Sequence, residues 1–163
     1  MRRLYFDVDG TILRMYTTSA KPALAGGMLE RAVRQAGIEE IVCVGNYVAV
    51  ALAMSSMFED FDTLGAIFEM CAGVFEDENW FRAHTRLVSD PDKRAAEIDL
   101  DSDWWYVDDL AEKYFQAAGR EEIFREHLGS RVFSPTPEGD GQDVLDWLRG
   151  SGPTDRYRVD GRS

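Results

Sequence analysis

The segment Leu4–Leu13 constrains the possible fold more than any other part of the chain. It reads LYFDVDGTIL, an apolar run that ends at Asp7, skips one residue to Asp9 and then turns through Gly10 and Thr11. A short apolar run bounded by turn residues is typical of a buried parallel strand. Alternate residues of a strand point to the same side, so we expect both carboxylates at the strand end, where open α/β sheets bind ligands.

Strand-like segments alternate with helical ones along the rest of the chain. The apolar patterns predict five strands: Arg3–Asp7, Glu40–Val44, Thr85–Val88, Trp104–Val107 and Arg131–Phe133. Between them, apolar residues at steps of three and four predict helices, including one over Phe61–Phe75. Such alternation predicts an α/β fold with a mainly parallel sheet. We expect one domain over residues 1–150, followed by a loose, Gly- and charge-rich tail over 151–163.

A second apolar strand also ends in acids. Trp104–Val107 is followed directly by Asp108 and Asp109. If this strand and the first are neighbours, Asp7 and Asp108 meet across one strand spacing. Clustered carboxylate oxygens suit Mg²⁺, which would offset their mutual repulsion. For Asp109 a helix N-cap is an equally good interpretation.

The motif Asp7-x-Asp9-Gly10-Thr11 resembles the first signature of the haloacid dehalogenase-like superfamily, most of whose members are Mg²⁺-dependent phosphotransferases and phosphatases. The resemblance implies a Rossmann-like, three-layer α/β/α fold whose central five-stranded sheet has the first strand in its middle. It also implies that Asp7 is the nucleophile that forms an aspartyl-phosphate and that Asp9 is the general acid and base. Asp7 and Asp108, with the carbonyl of Asp9 and with Asp109 nearby, would then hold the Mg²⁺.

Two further signatures of that superfamily match less closely. Lys93, just before the fourth strand, stands where the resemblance places a lysine that balances the phosphoryl charge, although a surface salt bridge is the alternative. Where the superfamily has a Ser or Thr after the second strand, this chain has Gly45 and Asn46. A backbone N–H and an amide can both bind a phosphoryl oxygen. A simple turn, or a site that has decayed, explains the same residues.

The spacing of the motifs leaves no room for a large specificity cap of the kind that the superfamily inserts. The extra material is a helical region at about residues 47–84, between the second and third strands. The resulting open site suits a bulky substrate or closure by a second copy of the chain. The apolar stripe within Phe61–Phe75 would serve as a homo-oligomer surface or, as such stripes more often do, pack in the core.

Composition narrows the classes of partner. The net charge of −12 opposes binding to nucleic acid and to anionic membranes. The uncharged stretch Ile41–Phe58 has the length of a membrane span, but Gly45-Asn46 interrupts it, so a strand, a turn and a helix explain it better. Cys43 and Cys71 lie in apolar contexts typical of reduced core thiols in a cytoplasmic protein.

Together these features predict a Mg²⁺-dependent phosphohydrolase that acts through an aspartyl-phosphate on a phosphorylated small molecule or a phosphoprotein. Asp7, Asp9 and Lys93 would carry the chemistry, with Gly45, Asn46 and Lys93 binding the phosphoryl group. The alternative is a non-catalytic interaction module that binds Mg²⁺ or phosphate and has a degenerate second motif.

Overall fold

A computed structural model describes residues 1–13, 22–71, 73–136 and 139–151 of the chain. Its centre is a five-stranded, all-parallel sheet with the strand order β3-β2-β1-β4-β5. The strands are β1 (Arg2–Asp7), β2 (Glu40–Val44), β3 (Thr85–Leu87), β4 (Asp103–Val107) and β5 (Val132–Phe133). The predicted α/β class, the parallel sheet and the central position of the first strand are confirmed.

Helices flank the sheet, in keeping with a Rossmann-like three-layer arrangement. They are α1 (Met28–Gln35), α2 (Asn46–Met57), α3 (Thr63–Met70), α4 (Glu78–His84), α5 (Ala111–Ala117), α6 (Glu121–His127) and α7 (Gln142–Asp146). A π-helical turn follows β1 (Val8–Leu13), a 3₁₀ turn precedes β4 (Pro91–Glu97), and a second π-helical turn follows α7 (Trp147–Ser151). The helices α2, α3 and α4 occupy the region between β2 and β3.

One predicted helix is wrong. Apolar spacing favoured a single helix over Phe61–Phe75, but α3 ends at Met70 and α4 starts only at Glu78. Gly73 between them has a φ of +81°, which lies outside the helical region and suits glycine alone. Asp77 then starts α4, since its carboxylate accepts a hydrogen bond from the N–H of Trp80.

The core lies on both faces of the sheet, as expected for parallel strands covered by helices. The apolar stripe of the 61–75 segment mostly joins this core: Ile67, Cys71 and Phe75 are buried, while Phe61, Leu64 and Phe68 pack against it in part. Both cysteines are buried and free, and burial raises the pKa of Cys43 to about 12. These thiols are core residues.

The registers bring the carboxyl ends of β1, β2 and β4 to one edge of the sheet. Phe6 pairs with Val107, so Asp7 and Asp108 follow side by side, as predicted. The stretch Ile41–Phe58 is strand β2 followed by helix α2, and among the described residues no helix is long and apolar enough to cross a bilayer. The predicted tail lies outside the described residues from residue 152 onward.

Candidate functional site

Asp7 is the last residue of the central strand and is 2% exposed. The chain turns sharply after it, and the N–H of Gly10 donates a hydrogen bond back to Asp7 Oδ2 at 2.9 Å. A Cβ at Gly10 would overlap the carboxylate of Asp109 and lie 2.6 Å from Asp7 Oδ2. The glycine of the motif is therefore required by the close approach of two carboxylates.

Asp108, the residue after β4, is 1% exposed, and both of its carboxylate oxygens accept hydrogen bonds. Its Oδ2 accepts a hydrogen bond from the hydroxyl of Tyr106 at 2.8 Å, and its Oδ1 accepts one from the N–H of Leu110 at 2.9 Å. Tyr106 stands two residues earlier in the strand, on the same face, which lets it reach this carboxylate. The half-exposed Asp109 completes a group with Asp7 and Asp108, each of which offers an oxygen within 4.8 Å of the others.

Arg94 supplies the positive charge of the site. It comes from the 3₁₀ turn and is 2% exposed, with Nη1 at 3.1 Å from Asp108 Oδ2 and 3.5 Å from Asp7 Oδ1. Its Nε donates to the carbonyl of Pro91 at 2.7 Å, and its guanidinium lies 3.7 Å from the ring centroid of Tyr114. An ion pair, a hydrogen bond and a cation–π contact thus hold this side chain between two buried carboxylates.

Burial and charge shift the acidities in this cluster. Burial raises the pKa of Asp7 well above its ordinary value, and the neighbouring charges of Asp108 and Asp9 raise it further. Burial also raises the pKa of Asp108, against the opposing effects of the Leu110 N–H and of Arg94. Burial alone would lower the pKa of Arg94, but the charge of Asp108 contributes to leaving it raised, so the guanidinium stays protonated.

Asp9 is held by the start of helix α2. Its carboxylate accepts hydrogen bonds from the backbone N–H groups of Asn46 and Tyr47, the first two residues of that helix. Free N–H groups at a helix start bind anions well. Gly45 makes this contact possible: its φ is +124°, and a Cβ there would lie 2.6 Å from Asp9 Oδ1 and 2.9 Å from Asp7 Oδ1.

The donor set fits a hard divalent cation. Three carboxylates offer oxygens within 4.8 Å of one another, and Arg94 contacts two of them, Asp7 and Asp108. Carboxylate oxygens are the ligands that Mg²⁺ takes, with water and substrate oxygens completing its shell. Asp7, Asp108 and Asp109 could therefore hold a metal ion, and the geometry alone does not select its identity.

These side chains surround a cavity of about 190 Å³. Of the residues that the sequence predicted, Asp7, Asp9, Asn46, Asp108 and Asp109 line it. Gly45 lies against Asp7 and Asp9 but does not line the cavity. Lys93 is exposed and is not among the lining residues.

Sequence reasoning missed Arg94 and Tyr114, both of which line the cavity. It considered lysines only, because it followed the signature lysine of the superfamily. No local pattern marked Arg94, because the 3₁₀ turn is interrupted at Lys93, whose φ is −113° and ψ 28°. In the structure Pro91 and Arg94 are buried, whereas Lys93 is exposed.

Comparison of the chain with protein-family models, with curated proteins and with solved structures finds no match. The functional argument therefore depends on the residues of the site.

Proposed function

We propose that this chain is a Mg²⁺-dependent phosphohydrolase that acts through an aspartyl-phosphate. The observation that carries the proposal is the convergence of Asp7, Asp9, Asp108 and Arg94 on one small cavity at the carboxyl edge of the sheet. Its volume of about 190 Å³ suits a phosphoryl group rather than a whole metabolite. Two acids with separate surroundings also suit the separate roles of nucleophile and proton carrier.

In the first half of the reaction an oxygen of Asp7 attacks phosphorus and the ester P–O bond breaks. The leaving oxygen takes the proton of Asp9, which lines the same cavity beside the start of α2. In the second half Asp9 takes a proton from water, the water oxygen attacks phosphorus, and the bond to Asp7 breaks to release phosphate. A nucleophile and a general acid–base in these positions divide one difficult substitution into two easier ones.

The positive groups let Asp7 react as an anion. Burial and neighbouring acids raise the pKa of Asp7, which favours the unreactive protonated form. Arg94, 3.5 Å from Asp7 Oδ1, opposes that shift and faces the cavity where phosphoryl charge develops. We assign to Arg94 the charge-balancing role for which the sequence suggested Lys93. A bound Mg²⁺, held by Asp7, Asp108 and Asp109, would supply further charge neutralisation.

Hydrolysis of phenyl phosphate with and without Mg²⁺ tests this proposal. We expect Mg²⁺-dependent release of phosphate, and a fall of several orders of magnitude for Asp7→Asn, comparable with loss of a catalytic-triad residue. The matched control is Asp146→Asn, an exposed aspartate of α7, purified in the same way. Activity in Asp7→Asn above a tenth of the parent value would refute the covalent mechanism.

A non-catalytic module that binds Mg²⁺ or phosphate is the second candidate. It is favoured by Gly45, which leaves no hydroxyl at the end of β2 and, because of its contacts, no space for one. In the enzyme, the side chain of Asn46 is a phosphoryl donor on this side of the cavity, and Asn46→Ala should lower the rate about a hundredfold. A parent protein that binds Mg²⁺ but hydrolyses no phosphate ester would favour the module.

A further inference from the structure

The phosphoryl cavity is too small to hold the rest of a substrate, and a larger groove adjoins it. The groove has a volume of about 570 Å³, within the range of small-molecule sites, against about 190 Å³ for the cavity. Asp109 and Leu110 line both spaces. The groove and the cavity are therefore neighbours that meet at these two residues.

Helices α5 and α6 give this groove an apolar side. Leu110, directly before α5, and Leu128, directly after α6, line it and are 48% and 52% exposed, and Phe124 of α6 lines it as well. Large exposed apolar side chains that meet in one concavity indicate a binding surface more strongly than scattered ones.

The same groove carries two opposite charges side by side. Glu112 and Lys113 of α5 both line it, and within the described residues neither makes an ion pair. The ammonium of Lys113 lies 5.2 Å from the ring centroid of Tyr114, which itself lines the phosphoryl cavity. Glu112 and Lys113 lie in the first turn of α5, within four residues of Asp109. Both charges thus line a groove that shares Asp109 and Leu110 with the phosphoryl cavity.

We propose that the groove binds the leaving group of a phosphorylated small molecule, and that this leaving group has an apolar body ending in an ammonium and a carboxylate. The apolar body lies on Leu110 and Leu128. The carboxylate pairs with Lys113 and the ammonium with Glu112, so a zwitterion matches the groove better than an anion or a cation does. The inference rests on the proposed phosphohydrolase activity, whose substrate class it specifies.

Four aryl phosphates test the proposal one charge at a time. They are phenyl phosphate, O-phosphotyrosine, its analogue without the amino group and its analogue without the carboxylate. We expect kcat/KM to be highest for phosphotyrosine and to fall about threefold for each charge removed, the range of exposed ion pairs. Lys113→Met should remove the advantage of the carboxylate only, and Glu112→Gln that of the ammonium only.

Matched variants show whether the effect belongs to the groove. Arg125→Met, which removes an exposed cation of α6 that pairs with Glu122, should leave all four values within twofold of the parent. Lys113→Arg should keep the preference for the carboxylate. Equal kcat/KM for the four substrates in the parent, or a charge preference that survives both groove variants, would overturn the proposal.

Two further outcomes separate this proposal from the activity on which it rests. If phenyl phosphate is hydrolysed but the charges have no effect, the phosphohydrolase stands and the groove assignment fails. If no ester is hydrolysed, binding of free tyrosine by NMR decides: binding that Lys113→Met abolishes supports the groove, and no binding overturns it. A phosphotyrosine peptide, whose termini are blocked, turned over faster than the free amino acid would also overturn it.

Discussion

Removing the guanidinium of Arg94 should strongly destabilise the protein. Arg94→Met keeps much of the volume but leaves Asp7 and Asp108 facing each other without a counter-charge, at 2% and 1% exposure. It also deprives the carbonyl of Pro91 of its 2.7 Å donor and the ring of Tyr114 of its cation.

The expected cost follows from these contacts. Breaking a buried ion pair by removing one partner costs about 3–5 kcal/mol, and an unsatisfied buried carbonyl adds about 1–3 kcal/mol. Because one side chain makes all these contacts, the terms are not additive, and partial protonation of the two acids relieves some repulsion. We expect a loss of about 4 kcal/mol, which for this chain length corresponds to a fall in Tm of about 8–16 °C.

Urea unfolding at pH 7 with a chelator present, followed by the fluorescence of the four tryptophans, measures this loss. The matched control is Lys93→Met, which removes the adjacent but exposed cation and should change the free energy of unfolding by less than about 0.5 kcal/mol. Adding Asp108→Asn to Arg94→Met should recover part of the loss, because it removes one of the unpaired charges. A cost below about 1 kcal/mol for Arg94→Met, or an equal cost for Lys93→Met, would refute this account of the site.

Three other predictions concern the metal, the glycine and the pH dependence. Mg²⁺ at about a hundredfold above its Kd should stabilise the parent by about 2.7 kcal/mol, which calorimetry would measure as a rise in Tm. Asp109→Asn should reduce that rise to near zero. An unchanged rise in this variant would show that Asp109 is not a metal ligand. Gly45→Thr, which introduces the hydroxyl that the superfamily has here, should lower both Tm and any phosphatase rate. The new Cβ would press on Asp9 Oδ1, and the φ of +124° at this position is strained for threonine. A gain in rate would contradict this packing argument. The pKa of Asp7 is raised in the folded protein. Above the ordinary pKa of about 4, the native state therefore holds a proton that the unfolded chain has lost. The free energy of unfolding, measured with a chelator present, should fall as the pH rises towards the raised pKa. Asp7→Asn should abolish that part of the loss in urea midpoints measured from pH 4 to 8, and identical pH profiles for the two proteins would disprove the shift.

The parts of the fold that the sequence predicted are those set by local patterns. The strands β1 and β4 are short apolar runs that end in acids, and their neighbouring position makes Asp7 and Asp108 meet as expected. The helical region failed where two signals conflicted: apolar spacing continued through Phe75, while the backbone at Gly73 does not continue the helix. A single glycine with positive φ interrupts the helix even though the apolar periodicity continues past it.

The sequence predicted the acids that line the cavity but not that Arg94 lines it, for a physical reason. An aspartate at the end of a parallel strand is placed by the strand itself, so its position follows from the sequence. Arg94 reaches the site from a 3₁₀ turn that interrupts its own helical geometry at Lys93, with φ −113° and ψ 28°. Which of two adjacent cations turns inward there depends on packing against Tyr114 and Pro91, which no local pattern encodes.

The strand order also determines when, during synthesis, the central strand β1 can pair with both of its neighbours in the sheet. Leu4 of the central strand pairs on one side with Ile41 and on the other with Trp105. At translation rates of about 5–20 residues per second, the second partner leaves the ribosome roughly 5–20 s after the first strand. Throughout that interval one edge of the central strand is open to other chains, and the two halves of the acidic cluster are still apart. Nascent chains stalled before β4 should therefore depend on chaperones, whereas chains stalled after β5 should not.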